Sequence, residues 1–181
     1  MAKISDEHIK ITEPSAFLVE NISLLPGGKV LDLAMGGGRN AVYLAGMGFK
    51  VEGVDVSEEA VESAKILADS RGIKFNAHVV DLEQGYKIPA EEYDVIICFN
   101  YLQRSLIPDI RNGVKRGGVV VYETYIVDQA QYGKPRSPDH LLRYNELLEI
   151  FRDFRCLRYR EGLFQEIGRL KAIASIVAQK S

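Results

Sequence analysis

Short apolar runs alternate along the chain with stretches whose apolar positions recur every three or four residues. Residues 29–34, 50–56, 73–80, 94–99 and 119–125 read as strands. Between them, residues 40–47, 57–71 and 108–114 carry helical spacing. Ser57 stands where it can cap the second of these helices, with Glu58 and Glu59 in its first turn and Gly72 beyond its end. A further helix is predicted over residues 14–25, stopped by Pro26-Gly27-Gly28, and another over 145–151. The run Asp94-Val95-Ile96-Ile97-Cys98-Phe99 is nearly unbroken in its apolarity, as expected of a strand covered on both faces. Strands alternating with helices imply a parallel sheet. Residues 155–159 and 172–177 read as two last strands with no helix between them, so they are expected to close as an antiparallel hairpin. The expected fold is therefore a single α/β domain over residues 1–181. It has a Rossmann-like, seven-stranded, mostly parallel sheet with helices on both faces and a C-terminal antiparallel hairpin. Residues 1–28 form an N-terminal helical segment, and the polar stretch within 127–144 interrupts the rhythm as a candidate lid.

The chemistry is concentrated after the first strand, in Asp32-Leu33-Ala34-Met35-Gly36-Gly37-Gly38-Arg39-Asn40. Glycines there allow a tight turn and close approach of a ligand to the main chain, and the helix behind presents free N–H groups. Asp55 follows Gly36 by 19 residues, at the end of the second strand, where a carboxylate can accept from a ribose diol. Gly36-x-Gly38-x-x-Ala41 also matches the dinucleotide fingerprint, so a nicotinamide-dependent reductase is one reading. Three features favour a different cofactor. Asp32 lies inside the first strand, where a carboxylate suits an ammonium group and does nothing for a pyrophosphate. Asp81-Leu82 closes the third strand, with a carboxylate and a backbone N–H able to meet an adenine ring. A terminal hairpin, and a length with little room for a second domain, do not suit a dehydrogenase.

These residues resemble the class I S-adenosylmethionine-dependent methyltransferases, over nearly the whole chain from about Pro14 to Lys180. The run GGGRNAVYLAGMGFKVEGVDVS further resembles the small tellurite-resistance-like branch of that class. The resemblance implies S-adenosylmethionine as cofactor, held by Asp32, Leu33, Ala34, Gly36, Gly38 and Asn40 of the loop. Asp55 and Val56 would serve the ribose, Asp81 and Leu82 the adenine, and Asn100 the methionine portion. Ala34 and Met35 depart from the pattern, standing where the family commonly has Gly and a small residue or Cys. Met35 has two readings, over the ligand or into the core.

For the acceptor, the ends of the fourth and fifth strands are the expected ground. Tyr101, Arg104, Tyr125 and His140 are the catalytic candidates. Arg104, Tyr125, Arg136, His140 and Arg143 are the candidates for holding substrate, the arginines because their fork matches an oxyanion. Each has a plainer reading as a packed or solvated residue. Charge adds to this picture: residues 1–100 carry 9 basic against 16 acidic side chains, and residues 101–181 carry 14 against 9. A basic second half suits an anionic or metalloid acceptor, whereas a net charge of −2 argues against duplex nucleic acid as partner. The expectation is methylation of a small molecule that is anionic, a thiol or a metalloid. The alternatives are the NAD(P)-dependent reductase and a non-enzymatic, cofactor-binding module of the same fold. No His/Cys grouping has zinc-ligand spacing, so no metal is expected. No apolar run reaches the ~20 residues of a membrane span. Cys98 and Cys156 sit apart in apolar stretches and read as free buried thiols of a reducing compartment. Cytoplasmic placement, and a monomer or homodimer, complete the expectation.

Overall fold

The computed structural model describes residues 11–181. Seven strands form one sheet: β1 (Lys29–Leu33), β2 (Lys50–Asp55), β3 (Asn76–Val79), β4 (Tyr93–Phe99), β5 (Val114–Tyr125), β6 (Arg155–Glu166) and β7 (Arg169–Gln179). Their spatial order is β3-β2-β1-β4-β5-β7-β6. The pairs from β3 to β5 are parallel, whereas β7 runs antiparallel to both β5 and β6. The chain therefore builds outward from β1 through β2 to β3 and returns to place β4 on the other flank of β1. That reversal opens a crevice at the carboxyl ends of β1 and β4, the place where such sheets bind ligands.

The helices are α1 (Ala16–Glu20), α2 (Arg39–Gly46), α3 (Glu58–Ser70), α4 (Ile107–Gly113) and α5 (Glu146–Ile150). Side chains alternate across each strand and sort into two apolar layers. Val30, Val95, Ile97, Val119 and Val121 face one way, toward Phe17 and Leu18 of α1, Ala41 and Leu44 of α2 and Val61 of α3. Leu31, Leu33, Ile96, Val120 and Tyr122 face the other, toward Ile110 of α4 and Leu147 of α5. Ser57 caps α3, its hydroxyl accepting from the Ala60 N–H at 3.1 Å.

The expected elements differ from those formed in physically interpretable ways. The first helix stops at Glu20 and resumes as a 3-10 turn, Ile22–Leu24. Asn21 causes the break, because its side chain donates back to the Phe17 carbonyl at 2.8 Å. β3 is shorter than expected because Ile73 bonds back to Ala68 O at 2.9 Å, closing α3 instead of entering the sheet. β5 begins five residues early, and β6 and β7 are roughly twice their expected length. Cys156 is exposed rather than buried. It lies at the start of the edge strand β6, which is exposed or half-buried at every position. Cys98 is buried, and burial pushes its thiol up to about 12.

The candidate lid is a strap. It opens with a 3-10 turn, Val127–Gln131, and ends in another, Pro138–His140. Ile126 and Leu142 bridge its two ends, and the buried Gln129 accepts from the Ala172 N–H at 2.9 Å and donates to Lys134 O at 3.1 Å. These bonds hold the stretch against the roots of β5 and β7.

The β6–β7 hairpin turns on Ile167 (φ 49°) and Gly168 (φ 71°). Two successive left-handed residues suit the twist of the flanking strands, but a β-branched residue is poorly accommodated there. Replacing Ile167→Asn is expected to stabilise the protein by about 1 kcal/mol, relieving part of the left-handed penalty. In a chain of this size that corresponds to a Tm higher by about 2–4 °C, measurable by calorimetry.

Candidate active site

A cavity of about 880 Å³ opens at the carboxyl edge of β1, β2 and β4. Its floor is the loop after β1. Ala34 is left-handed (φ 52°), as are Gly36 (φ 57°) and Gly38 (φ 77°), and this sequence of turns folds the chain back into α2. Gly38 is required by contact: a Cβ there would lie 2.6 Å from the Ala64 Cβ of α3. Gly36 and Gly37 have a different reason. Both line the cavity, and a Cβ at either would project into open space, so their lack of side chains leaves room for a ligand against the backbone. Met35 does both: it borders the cavity and packs into the core behind it. It is buried beside Gly53 of β2, where a Cβ would meet its sulfur at 2.3 Å.

Three polar groups converge on this floor. Asp32 is 2% exposed, lines the cavity, and has a carboxyl oxygen, Oδ2, with no hydrogen-bond partner among the described residues. Burial pushes its carboxyl from the ordinary 3.8 up to about 8. The Arg39 guanidinium pulls the other way, and the Asp55 carboxylate adds to the rise. Asp55 latches the loop: its Oδ2 accepts from Gly36 N–H at 2.8 Å and its Oδ1 from Ser57 N–H at 2.9 Å. Each carboxylate oxygen retains a further lone pair for a ligand. Asn40, at the start of α2, is buried and also lines the cavity; its Oδ1 accepts from Ser15 N–H at 2.8 Å.

The opposite wall comprises Asn100, Tyr101 and Tyr125, together with Glu166, Ile167, Arg169 and Lys171 from the hairpin tip. Asn100 is left-handed (φ 56°), a conformation asparagine tolerates, and its N–H donates to Glu123 O at 2.8 Å. Lys171 is paired to Glu166 at 2.6 Å. Arg169 pairs with Glu166 through the backbone of the β6–β7 ladder, and its side chain makes no hydrogen bond or ion pair among the described residues. The hairpin tip is not among the sequence-predicted site residues, because the predicted sixth strand ends at Tyr159. Residues 163–167 mix apolar, amide and acidic side chains with no alternation to mark a strand.

Several expected site residues lie elsewhere. Arg104 is committed to Glu146, with Nε–Oε1 at 2.7 Å and a second nitrogen to Oε2 at 3.0 Å, and it also donates to the carbonyls of Leu141 and Asp139. Burial favours the neutral form of Glu146, yet the bonds from Arg104 and from the Arg143 N–H hold its carboxyl below the ordinary value. Arg143 flanks the same acid at 3.4 Å. Arg136 and His140 are exposed on the strap and off the cavity wall. The expected cationic cluster of Arg104, Arg136, His140 and Arg143 is thus not on the cavity; Arg104 fastens α5 to the end of β4. Leu33 and Leu82 point into the core, and Val56 is 64% exposed beside Asp55. Asp81 is exposed and accepts from the Glu83 N–H at 2.9 Å. Tyr101 is on the wall, but its hydroxyl donates to Gln103 Oε1 at 2.8 Å. Burial, aided by Glu83, Cys98, Asp81 and Asp55, pushes that hydroxyl up to about 12, so it keeps its proton.

Parallel sheet, switch-point crevice and terminal antiparallel hairpin are the expected Rossmann-like architecture, shared with solved methyltransferase folds. The chain belongs to the family of the tellurite resistance protein TehB, whose model matches residues 4–173. Among solved structures it is similar to TehB from Haemophilus influenzae, with a TM-score of 0.79 at 22% identity, covering 92% of this chain and 62% of that one. It is also similar to an S-adenosylmethionine-dependent methyltransferase from Methanosarcina mazei, with a TM-score of 0.71 at 17% identity over 93% and 98% of the two chains. These likenesses are of fold. A ubiquinone biosynthesis O-methyltransferase of Thiobacillus denitrificans is 32% identical over 111 residues, which are 59% of this chain and 48% of that protein. The chain thus spans about half the length of the curated relatives it matches.

The residues present fit the cofactor of this class. A buried carboxyl with one oxygen unpartnered among the described residues would suit an ammonium group, the side-chain-free stretch at Gly36-Gly37 a close-lying ligand, and the Asp55 carboxylate a diol. Asp32 also sets the stability of the free protein. Its carboxyl ionises near 3.8 in the unfolded chain and near 8 in the native one. Between those limits the native state binds the extra proton, so stability is greatest at the acid end and declines as pH rises toward 8. Urea midpoints of the ligand-free protein are expected to fall between about pH 5 and pH 8. Asp32→Asn, which stays neutral throughout, should flatten that decline; an equal slope in both proteins would contradict the assignment.

Proposed function

We propose that this chain transfers a methyl group from S-adenosylmethionine to a small acceptor that is anionic, a thiol or a metalloid. The observation that carries the reading is one cavity with two unlike walls. One wall is the glycine turn with Asp32 and Asp55; the other holds Arg169 and the Lys171–Glu166 pair. When bound, the sulfonium supplies a methyl group that is already activated, so the protein needs chiefly to hold the partners in line.

The chain's own residues divide that work. Asp32 offers an acceptor to the ammonium of the cofactor, directly or through water. Asp55 offers lone pairs to the ribose while it keeps Gly36 in place. Asp81, Leu82 and Val56 follow the neighbouring ends of β3 and β2, off the cavity wall, and enter the adenine side of this reading only through the resemblance. Asn100 borders the methionine portion. Arg169 gives an oxyanion two parallel donors, and Tyr125 walls the same side.

The same wall favours a soft nucleophile. A hydroxyl acceptor generally needs a general base. Among the described residues of the acceptor wall, Glu166 is tied to Lys171 and the Tyr101 hydroxyl holds its proton and donates to Gln103. A thiolate or a reduced metalloid oxyanion needs no such base. The family membership supports this reading over the nicotinamide-dependent alternative suggested by Gly36-x-Gly38-x-x-Ala41.

The test is methyl transfer from labelled S-adenosylmethionine to a panel of thiols, tellurite- and selenite-type oxyanions, and small phenols. Transfer to a thiol or metalloid is the expected result; transfer to phenols alone would overturn the acceptor class, and no binding of S-adenosylhomocysteine would overturn the whole reading. Asp55→Ala should weaken S-adenosylhomocysteine at least tenfold, about 1.4 kcal/mol, measured by calorimetric titration. The loss of two accepted backbone bonds should also lower stability, by about 1–2 kcal/mol. Arg169→Ala should instead raise KM for an anionic acceptor about tenfold while leaving the S-adenosylhomocysteine Kd within about twofold.

A further inference from the structure

Asp32 is an unusual group to find on the wall of a binding cavity. It is sealed from solvent, one oxygen has no partner among the described residues, and the groups that act on it oppose one another. From α2 the Arg39 guanidinium favours the ionised form, as does the Ala41 N–H that faces the carboxyl. From β2 the Asp55 carboxylate favours the neutral form. From β4 the Cys98 thiol is the remaining titratable neighbour, and burial keeps it protonated. Arg39 is itself partly engaged, donating to Glu13 O at 3.2 Å. No cation among the described residues forms a hydrogen bond or ion pair with Asp32.

We propose that the cavity binds its aminoacyl-bearing nucleoside by proton exchange, so that seating the ligand's ammonium group expels one proton from Asp32. The inference rests on the cofactor reading above and adds to it the proton as a second, competing ligand of the same site. In the free protein the carboxyl is the neutral acid at pH 7, because burial outweighs Arg39 and carries its pKa up to about 8. An ammonium group is donor-only, and the neutral acid can accept from it only at its remaining lone pairs. The ionised form accepts at both oxygens and adds the attraction of opposite charges. Once the cation approaches, the ionised form is favoured by its charge and no longer pays for isolation. The O–H bond breaks, its electron pair remains on the carboxylate oxygen, and the proton passes to water and then to buffer. Ligand affinity therefore increases as pH rises toward 8 and loses this dependence above it.

The experiment is calorimetric titration with S-adenosylhomocysteine at pH 7 in phosphate and in Tris, whose different ionisation enthalpies report the protons exchanged. A parallel titration uses 5′-methylthioadenosine, which has the adenosyl portion and no ammonium group. About one proton should be released with S-adenosylhomocysteine, and close to none with methylthioadenosine. For S-adenosylhomocysteine the same measurement on Asp32→Asn should lose the release, and the difference between the two proteins cancels the titration of the ligand's own amine. Binding of S-adenosylhomocysteine with no net proton release at pH 7 overturns the proposal and leaves the cofactor reading intact. Equal release with methylthioadenosine also overturns it, because the ammonium would then not be the cause. Failure of S-adenosylhomocysteine to bind at all would instead overturn the cofactor reading on which the proposal stands.

Discussion

The approach of α2 to α3 at Gly38 is the constraint on which the carboxyl edge of the sheet depends. With a Cβ excluded there by Ala64, the chain must leave β1 through a run of left-handed residues before α2 can begin. That detour brings the Gly36 N–H to Asp55, ties β1 to β2 at their ends, and leaves Asp32 roofed by the start of α2. The burial of Asp32 is thus a result of helix packing one layer behind it. Ala34 shows that the geometry is imposed: an alanine holds a φ of 52° where a glycine would do so freely. Whatever that strain costs is outweighed by the packing of the two helices and the bonds the turn makes.

A second layer of polar contacts sits beneath the crevice and joins distant parts of the chain. Glu123 of β5 is buried, accepting from Ser175 Oγ at 2.6 Å and from Arg160 at 3.2 Å, with Ser15 Oγ at 3.4 Å. Arg160 is sandwiched between the rings of Phe17 and Phe164, 4.9 and 4.4 Å from their centres. Ser15 in turn donates its N–H to Asn40. The network runs from the hairpin through β5 to the first turn of α2. It connects the element that walls the acceptor side to the element that cradles the cofactor side. A charge pair of this kind is a weak source of net stability, whereas removing one partner alone leaves the other uncompensated.

The parts of this architecture legible in the sequence were those governed by local rules. Strand–helix alternation gave β1, β2, β4 and the helices between them, because their apolar faces are continuous and their ends are marked by glycine or a capping serine. The floor of the site was equally legible, since Asp32, the glycines and Asp55 lie on consecutive strand ends whose order follows from the chain. The acceptor wall was not. Arg104 stands near the end of β4 in sequence, but whether its side chain meets a cavity or a buried Glu146 is decided by α5, 42 residues away. The hairpin tip escaped for a different reason. Its arms leave the core after Ala172 and Glu161, so their residues lack the apolar weight that marks a strand. The turn itself carries Ile-Gly in place of the Asn-Gly or Asp-Gly that announces a reversal.

Because the acceptor wall is the free end of a two-stranded ribbon, its reach is set by the number of residues beyond the sheet. Side chains in a strand repeat every second residue. Lengthening both arms by two residues would carry the tip roughly 7 Å further across the crevice with every face preserved. Adding one residue to each arm would instead swap the faces, turning the residues that now look into the cavity toward water. Neither change touches the turn after β1. On the proposed function, the crevice is a fixed donor seat with an adjustable awning, and the acceptor it admits would change by even-numbered changes in one hairpin while the seat stays as it is.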